Sequence, residues 1–155
     1  MKKIYTFYGK LLSICLIFLG FGSCGLLPRI EYGSPSASYK ISGKIVVDED
    51  GGGQPIKGLK ISLNYPEEYG LYPIMNPVYT LPDGQFLLDS KSGPAFSSLV
   101  LLVEDVDGAE NGSFASHKQD ITFSSSDFIG GDGRWFEGYA VRNVGTIKLK
   151  PVEEN

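Results

Sequence analysis

The sequence predicts an all-β fold, a sandwich of about seven short strands. Composition is the first observation, because the 155 residues include 20 glycines and 9 prolines, which both penalise helix interiors and favour tight turns. Periodicity is the second, because apolar and polar side chains alternate with a period of two in several short segments, as in half-buried strands. The ordinary globular composition, 42% hydrophobic and 21% charged, then indicates one folded domain.

The first half of the chain holds two clear alternating segments. Residues 39–47 (YKISGKIVV) end at a glycine-rich turn over residues 48–53, and residues 58–65 (GLKISLNY) repeat the alternation. We expect these two strands to pair, because each has an apolar face that the other could cover. The proline-rich residues 66–77 break the pattern and predict a loop or an irregular edge.

Later strands are predicted from shorter signals. The Pro-Asp-Gly sequence at residues 82–84 predicts a turn into a strand at residues 85–88, since proline fixes the first torsion and glycine accepts a positive φ. Residues 98–104 (SLVLLVE) form a continuous apolar run, which is typical of a central strand in the core. Brief alternation at residues 121–123 and 145–151 predicts two further strands, the last of which closes the sandwich.

The N-terminus carries a targeting signal. Lysines precede an apolar run, LLSICLIFLGFG, that is shorter than the roughly 20 residues needed to span a bilayer, and this pattern is typical of a secretory signal peptide. The sequence FGSC resembles the bacterial lipobox, with Phe21 where leucine is usual. We therefore predict a lipoprotein signal peptide at residues 1–23 and lipidation, with palmitate or a similar acyl chain, at Cys24. An ordinary signal peptide with an incidental cysteine is the alternative.

Cleavage before Cys24 leaves a tether and a domain. Residues 24–38 are rich in Gly, Pro and Ser and predict a flexible tether, and residues 39–152 hold the predicted sandwich. The formal charge of the whole chain is −4, and loss of three lysines with the signal peptide makes it more acidic. Nucleic-acid binding is therefore excluded as a function, and only lipid would attach the protein to a membrane.

The same region indicates location. No acidic run follows Cys24, and in Bacteroidetes-type lipoproteins such a run tends to mark export to the cell surface. We therefore expect a lipid-anchored protein of the bacterial cell envelope that faces the periplasm, with exposure at the cell surface as the alternative.

Three motifs between residues 41 and 86 resemble those of a known family. They are ISGKIVVD at residues 41–48, QPIKGLKI at residues 54–61 and TLPDGQF at residues 80–86. Their order is similar to that of the carboxypeptidase regulatory-like, transthyretin-like domain, although Leu-Pro stands where that family usually has Asp or Asn in the last motif. Together with the lipobox and the acidic stretch at residues 104–112, the whole chain resembles Bacteroidetes lipoproteins encoded beside radical SAM enzymes.

The resemblance implies a transthyretin-like or immunoglobulin-like sandwich that acts as a non-enzymatic binding or accessory module. It also implies a radical SAM enzyme, or another envelope protein, as partner. A shared fold does not establish a shared function. The open alternatives are a substrate of radical SAM-dependent modification, a calcium-stabilised carbohydrate- or peptide-binding domain, and a hydrolase.

A candidate calcium site lies in the acidic stretch. Its oxygen ligands would be Asp105, Asp107, Glu110 and Asn111. Carboxylate and amide oxygens around a glycine turn suit a hard cation, but Ser116 stands where an EF-hand would need a bidentate acid. The alternative is a solvated acidic turn, in which Asp-Gly and Asn-Gly supply only turn chemistry. Apart from this possible calcium ion, we expect no cofactor.

A candidate binding segment is rich in aromatic residues. Trp135, Phe136 and Tyr139 lie within five residues, a composition favoured at surfaces that recognise sugars or peptides. Core packing is the competing interpretation, and Trp135 is the residue of the three that we expect to be most exposed. Tyrosines around residues 65–79 offer a second possible binding edge.

Catalytic signals are weak. His117 is the single histidine, and the sequence contains no G-x-S-x-G elbow, so no nucleophile and base are paired by a recognisable motif. One histidine and two cysteines also exclude a Cys/His metal cluster. We therefore predict that the protein is not an enzyme.

Overall fold

The computed structural model describes residues 33–49, 53–108 and 110–152, with four isolated residues, Tyr8, Lys10, Leu12 and Ile14. The chain divides into two units, Met1–Tyr32 and Gly33–Asn155. The four isolated residues have helical backbone and exposed side chains. Apart from them, the predicted signal peptide lies outside the described residues, as do Cys24 and the tether up to residue 32.

No helix among the described residues is long and apolar enough to cross a lipid bilayer.

The second unit contains two four-stranded sheets, which confirms the predicted all-β sandwich. The described residues form eight strands, where about seven were expected. In chain order they are β1 (Ser36–Val47), β2 (Lys60–Asn64), β3 (Val78–Tyr79), β4 (Gln85–Pro94), β5 (Ser98–Glu104), β6 (His117–Thr122), β7 (Phe128–Gly130) and β8 (Phe136–Leu149). The first sheet has the order β4-β1-β8-β7 and the second the order β3-β2-β5-β6. Two 3-10 helices cover Glu67–Tyr69 and Ser125–Asp127.

The first sheet has the first and last strands at its centre. β1 pairs in parallel with β8, from Ser36 opposite Phe136 to Val47 opposite Leu149, and antiparallel with β4. The expectation that the first two strands pair is wrong, because β1 and β2 lie in different sheets. Alternation identifies the apolar face of a strand but not its neighbour, and here the neighbour comes from the far end of the chain.

Two strands of this sheet are longer than the sequence predicts. β1 begins at Ser36, three residues before the alternating segment, and β8 covers 14 residues. The pairing of β8 with β1 shifts register twice, near Gly138 and near Gly145. Because each shift interrupts the period of two, the first half of β8 carries no clean strand signal.

The second sheet contains the predicted central strand. β5 lies between β2 and β6, and its side chains Leu99, Leu101 and Val103 are buried. Side chains from both sheets form the core between them. The largest fully buried ones are Tyr39, Ile41, Ile45, Leu59, Ile61, Leu63, Leu88, Leu99, Leu101, Val103 and Asn64.

Tyr39 links β1 to the segment that follows β4. Its hydroxyl accepts a hydrogen bond from the backbone N–H of Phe96 at 2.8 Å and donates one to the carbonyl of Pro94 at 3.0 Å. Its ring packs against Phe123 and Phe128, with centroids 5.2 and 6.0 Å away. Burial raises the pKa of Tyr39, so the hydroxyl stays protonated and keeps its role as donor.

We expect Tyr39→Phe to lower the free energy of unfolding by about 1–3 kcal/mol, because it removes two part-buried hydrogen bonds, one from the N–H of Phe96 and one to the carbonyl of Pro94. Urea denaturation of the variant and the wild type measures this difference. Tyr72→Phe is the matched control, since Tyr72 is 68% exposed and loses no described hydrogen bond. Equal midpoints for Tyr39→Phe and wild type would contradict the assigned role of the hydroxyl.

Candidate functional site

The outer face of the first sheet carries a groove of about 360 Å³, which we call the β1 groove. Ser38 and Lys40 of β1 form its floor, between β4 on one side and β8 on the other. The residues that line it are Ser38, Tyr39, Lys40, Asp89, Ser90, Lys91, Tyr139, Ala140 and Val141. The groove therefore combines an aromatic ring, an aliphatic side chain and three charges.

Strand geometry brings these side chains together. In β1, Tyr39 and Ile41 face the core, so Ser38 and Lys40 lie on the opposite face of the sheet, where Ser38 is buried at the bottom of the groove and Lys40 is exposed. Lys40 lies opposite both Asp89 of β4 and Val141 of β8. Paired residues on neighbouring strands project to the same side of a sheet, so each such set forms a row across the groove.

A second row contains the exposed aromatic ring. Ser38 lies opposite Tyr139, and Tyr139 lies opposite Ile129 of β7. Tyr139 is 58% exposed, and its ring meets Phe136 in an edge-to-face contact at 5.1 Å. The Phe136 ring therefore limits the orientations that Tyr139 can adopt.

Gly138 allows β7 to lie close to β8 beside Tyr139. Its φ is +126°, and a Cβ at this position would lie 2.6 Å from the carbonyl oxygen of Ile129. No side chain fits at that distance. Glycine at 138 is therefore required for the pairing that places Ile129 opposite Tyr139.

Asp132 orders the loop that leads into β8. Its Oδ1 accepts hydrogen bonds from the backbone N–H groups of Phe136 at 3.0 Å and Arg134 at 2.8 Å. These two bonds hold the pKa of Asp132 below its ordinary value, so the carboxylate is ionised near neutral pH. The carbonyl of Trp135 also accepts from the N–H of Ser36 at 2.7 Å, which ties the loop to the start of β1.

The aromatic segment is only partly exposed. Trp135 and Phe136 are half-buried, whereas Tyr139 is exposed, so the expectation that Trp135 would be the most exposed of the three is wrong. Trp135 lies before β8, in the loop, and its ring packs over Gly33, where a Cβ would lie 3.6 Å from the ring. Of the predicted binding residues, Tyr139 lines the β1 groove.

The charged residues of the groove were missed by sequence reasoning. Alternation within β1 and β4 could have placed Lys40 and Asp89 on outward faces, but not next to each other. Within the part of the chain that the structure describes, the side chains of Lys40, Asp89 and Lys91 make no hydrogen bond or ion pair. These three charges are therefore available to a ligand.

The candidate calcium ligands make internal hydrogen bonds. Asp105 Oδ2 accepts from the N–H of Phe114 at 2.9 Å, and Asp107 Oδ2 accepts from the side-chain amide of Asn111. Glu110 is exposed and forms an isolated backbone bridge with Gly112. Among the described residues, no group of three or more Asp, Glu, His or Cys side chains could hold a metal ion. The contacts favour the alternative interpretation, a hydrogen-bonded acidic turn.

The serines near the single histidine in sequence have structural contacts. Asp127 Oδ2 accepts a hydrogen bond from the backbone N–H of Ser124 at 2.7 Å, as part of a capping box on the second 3-10 helix, and another from Ser124 Oγ at 2.8 Å. Asp127 also pairs with Arg142 at 3.2 Å. The backbone and side chain of Ser124 are the main reasons why the pKa of Asp127 is lowered. His117 lies on β6, opposite Val103 of β5, and its side chain makes no hydrogen bond with another described residue.

No protein-family model matches the chain, and no curated protein matches it. The family membership therefore stays a proposal that depends on the motifs at residues 41–48, 54–61 and 80–86.

We expect calcium to leave the thermal stability unchanged, because the carboxylates of Asp105 and Asp107 already accept hydrogen bonds within the turn. Melting curves with millimolar calcium and with a chelator should agree within about 1 °C. A stabilising shift of several degrees that disappears in Asp105→Ala with Asp107→Ala would instead establish the calcium site.

Proposed function

We propose that the protein is a lipid-anchored, non-enzymatic binding module of the bacterial cell envelope, and that the β1 groove is its binding surface. The observation that carries this proposal is the exposed Tyr139 beside three charges, Lys40, Asp89 and Lys91, that have no ion-pair partner among the described residues. An exposed aromatic ring with a few polar groups around it is a common composition of recognition sites.

The apolar surface near the groove supports a role in binding. Ile129, Tyr139 and Val141 are 73%, 58% and 68% exposed. They lie on adjacent strands, in rows that the pairing of β7 and β8 brings together. Contiguous apolar side chains on a sheet face leave hydrophobic area in water, and a bound ligand would remove that area.

Binding without catalysis is the better supported function. Covalent catalysis needs a nucleophile and a base within hydrogen-bond distance, whereas among the described residues no hydrogen bond joins the side chains of Lys40, Asp89 and Lys91 in the groove. The hydroxyl of Ser124, which follows β6, is engaged with Asp127. A radical SAM enzyme enters as a proposed partner through the family resemblance alone.

The anchor is proposed from the lipobox at Cys24. Two or three acyl chains attach a protein stably to a bilayer, whereas one chain does so weakly. The mature protein would then have its first strand, β1, joined to the lipid by residues 24–35.

We expect labelled palmitate to enter the wild-type protein and to be absent from Cys24→Ala, which should also leave the membrane fraction. Metabolic labelling followed by fractionation measures both. Cys15→Ala is the matched control, because Cys15 lies within the predicted signal peptide and should not affect labelling. If Cys24→Ala kept the label and stayed with membranes, the lipid anchor would be wrong.

We expect a photo-crosslinking amino acid at Val141 to give a specific product in intact cells of the native host, because Val141 lines the groove. The same amino acid at the exposed Tyr72, outside the groove, is the control and should not give that product. Gel mobility and mass spectrometry detect the product. Identical products at both positions, or none at Val141, would contradict a binding role for this face.

A further inference from the structure

We infer that the β1 groove binds an acidic saccharide, a short chain of sugars that carries carboxylate groups. This inference rests on the proposed binding function and names the ligand class of the same site. Three features of the groove carry it: the aromatic ring, the excess of positive charge and the position of the floor in the middle of a sheet.

The ring of Tyr139 offers a flat apolar surface. Phe136 contacts it edge-to-face, and more than half of the residue is exposed. A pyranose ring has one face of C–H groups that packs against an aromatic ring, while its hydroxyls point outward to polar partners. Tyr139 therefore fits a sugar ring that lies over the floor of the groove.

The charged side chains that line the groove favour an anionic ligand. Lys40 and Lys91 face a single acid, Asp89, although the whole chain has a formal charge of −4. The groove is thus a locally positive site on an acidic protein, and neither lysine has an ion-pair partner among the described residues. The two ammonium groups can bind carboxylates, and the Asp89 carboxylate can accept hydrogen bonds from hydroxyls.

The position of the floor argues against an extended peptide. A peptide that adds to a sheet needs a free strand edge, but β1 is paired on both sides, with β4 and with β8. Recognition in the groove must therefore use side chains rather than backbone groups. At the edge of the sheet, β4 shifts register against β1 and ends at Pro94, which hinders strand addition there.

The size of the groove sets the expected length and affinity. A volume of about 360 Å³ lies at the low end of the range for small-molecule sites. The groove is also open to solvent along the sheet face, so it buries one side of a ligand. We expect contact with two or three sugar units and a dissociation constant of about 0.1–1 mM.

The test uses the full-length lipoprotein purified in detergent, with trigalacturonate as the acidic probe and maltotriose as the neutral one. We expect trigalacturonate to bind about tenfold or more tightly than maltotriose in ligand-observed NMR titrations. Raising NaCl from about 50 to about 500 mM should weaken trigalacturonate binding, because salt screens exposed charges. Equal binding of the two probes, or no binding of trigalacturonate, would overturn the inference.

Two sets of variants locate the site. Tyr139→Ala, and Lys40→Ala combined with Lys91→Ala, should each weaken trigalacturonate binding about tenfold, and the double variant should lose most of the salt dependence. Tyr72→Ala and Lys57→Ala are the matched controls and should bind as the wild type does, since both residues are exposed and lie outside the groove. Loss of binding in the controls, or full binding in the groove variants, would place the site elsewhere and overturn the inference.

A third probe separates the ligand classes. Hexaglutamate carries carboxylates on a peptide, so binding as tight as that of trigalacturonate would show that charge alone is recognised and would overturn the saccharide assignment. If trigalacturonate fails while Val141 still gives its specific crosslinked product in cells, the binding function stands and the ligand class is wrong. If trigalacturonate does not bind and Val141 gives no specific product, the proposed binding function is wrong as well.

Discussion

The parallel pairing of β1 with β8 is the interaction on which the rest of the structure depends. It joins the first and last strands of the second unit in the middle of one sheet. It places Ser38 beside Tyr139 and Lys40 beside Val141, so the two halves of the groove meet only when this pair has formed. Strands that are distant in the sequence close a long loop when they pair, and such pairings form slowly because chain entropy is lost before the contacts are gained.

One strand, β1, has both a structural and a recognition role. Tyr39 and Ile41 are fully buried, while Ser38 and Lys40 line the outer groove. The Ser38 hydroxyl also donates to the carbonyl of Lys91 at 2.7 Å, which fixes the groove wall formed by β4. A site built on paired strands above a packed core holds its geometry better than a site built on loops.

The sequence alone predicted the strands in which apolar and polar residues alternate without interruption. The core-facing residues of β1 and β5 were recognisable, and Gly84 has the positive φ of +76° expected of the turn before β4. Most of β8 was not recognisable, because register shifts near Gly138 and Gly145 break its period. Of the candidate site, Tyr139 was predicted from local composition. Lys40 and Asp89 were not, because their proximity depends on which strands pair.

The central position of β1 determines how the molecule carries a mechanical load. If residues 24–35 connect β1 to a lipid, a pull on a ligand held by side chains of β4 and β8 reaches the anchor through the hydrogen bonds that join these strands to β1. The hydrogen bonds that join β1 to β4 and β8 run across the axis of β1. A load along that axis therefore strains both sets of hydrogen bonds at once, instead of breaking them one at a time. Pulling β1 out of the sheet would then require its hydrogen bonds to both β4 and β8 to break together. The domain can therefore resist a force along this strand even if its free energy of unfolding is modest.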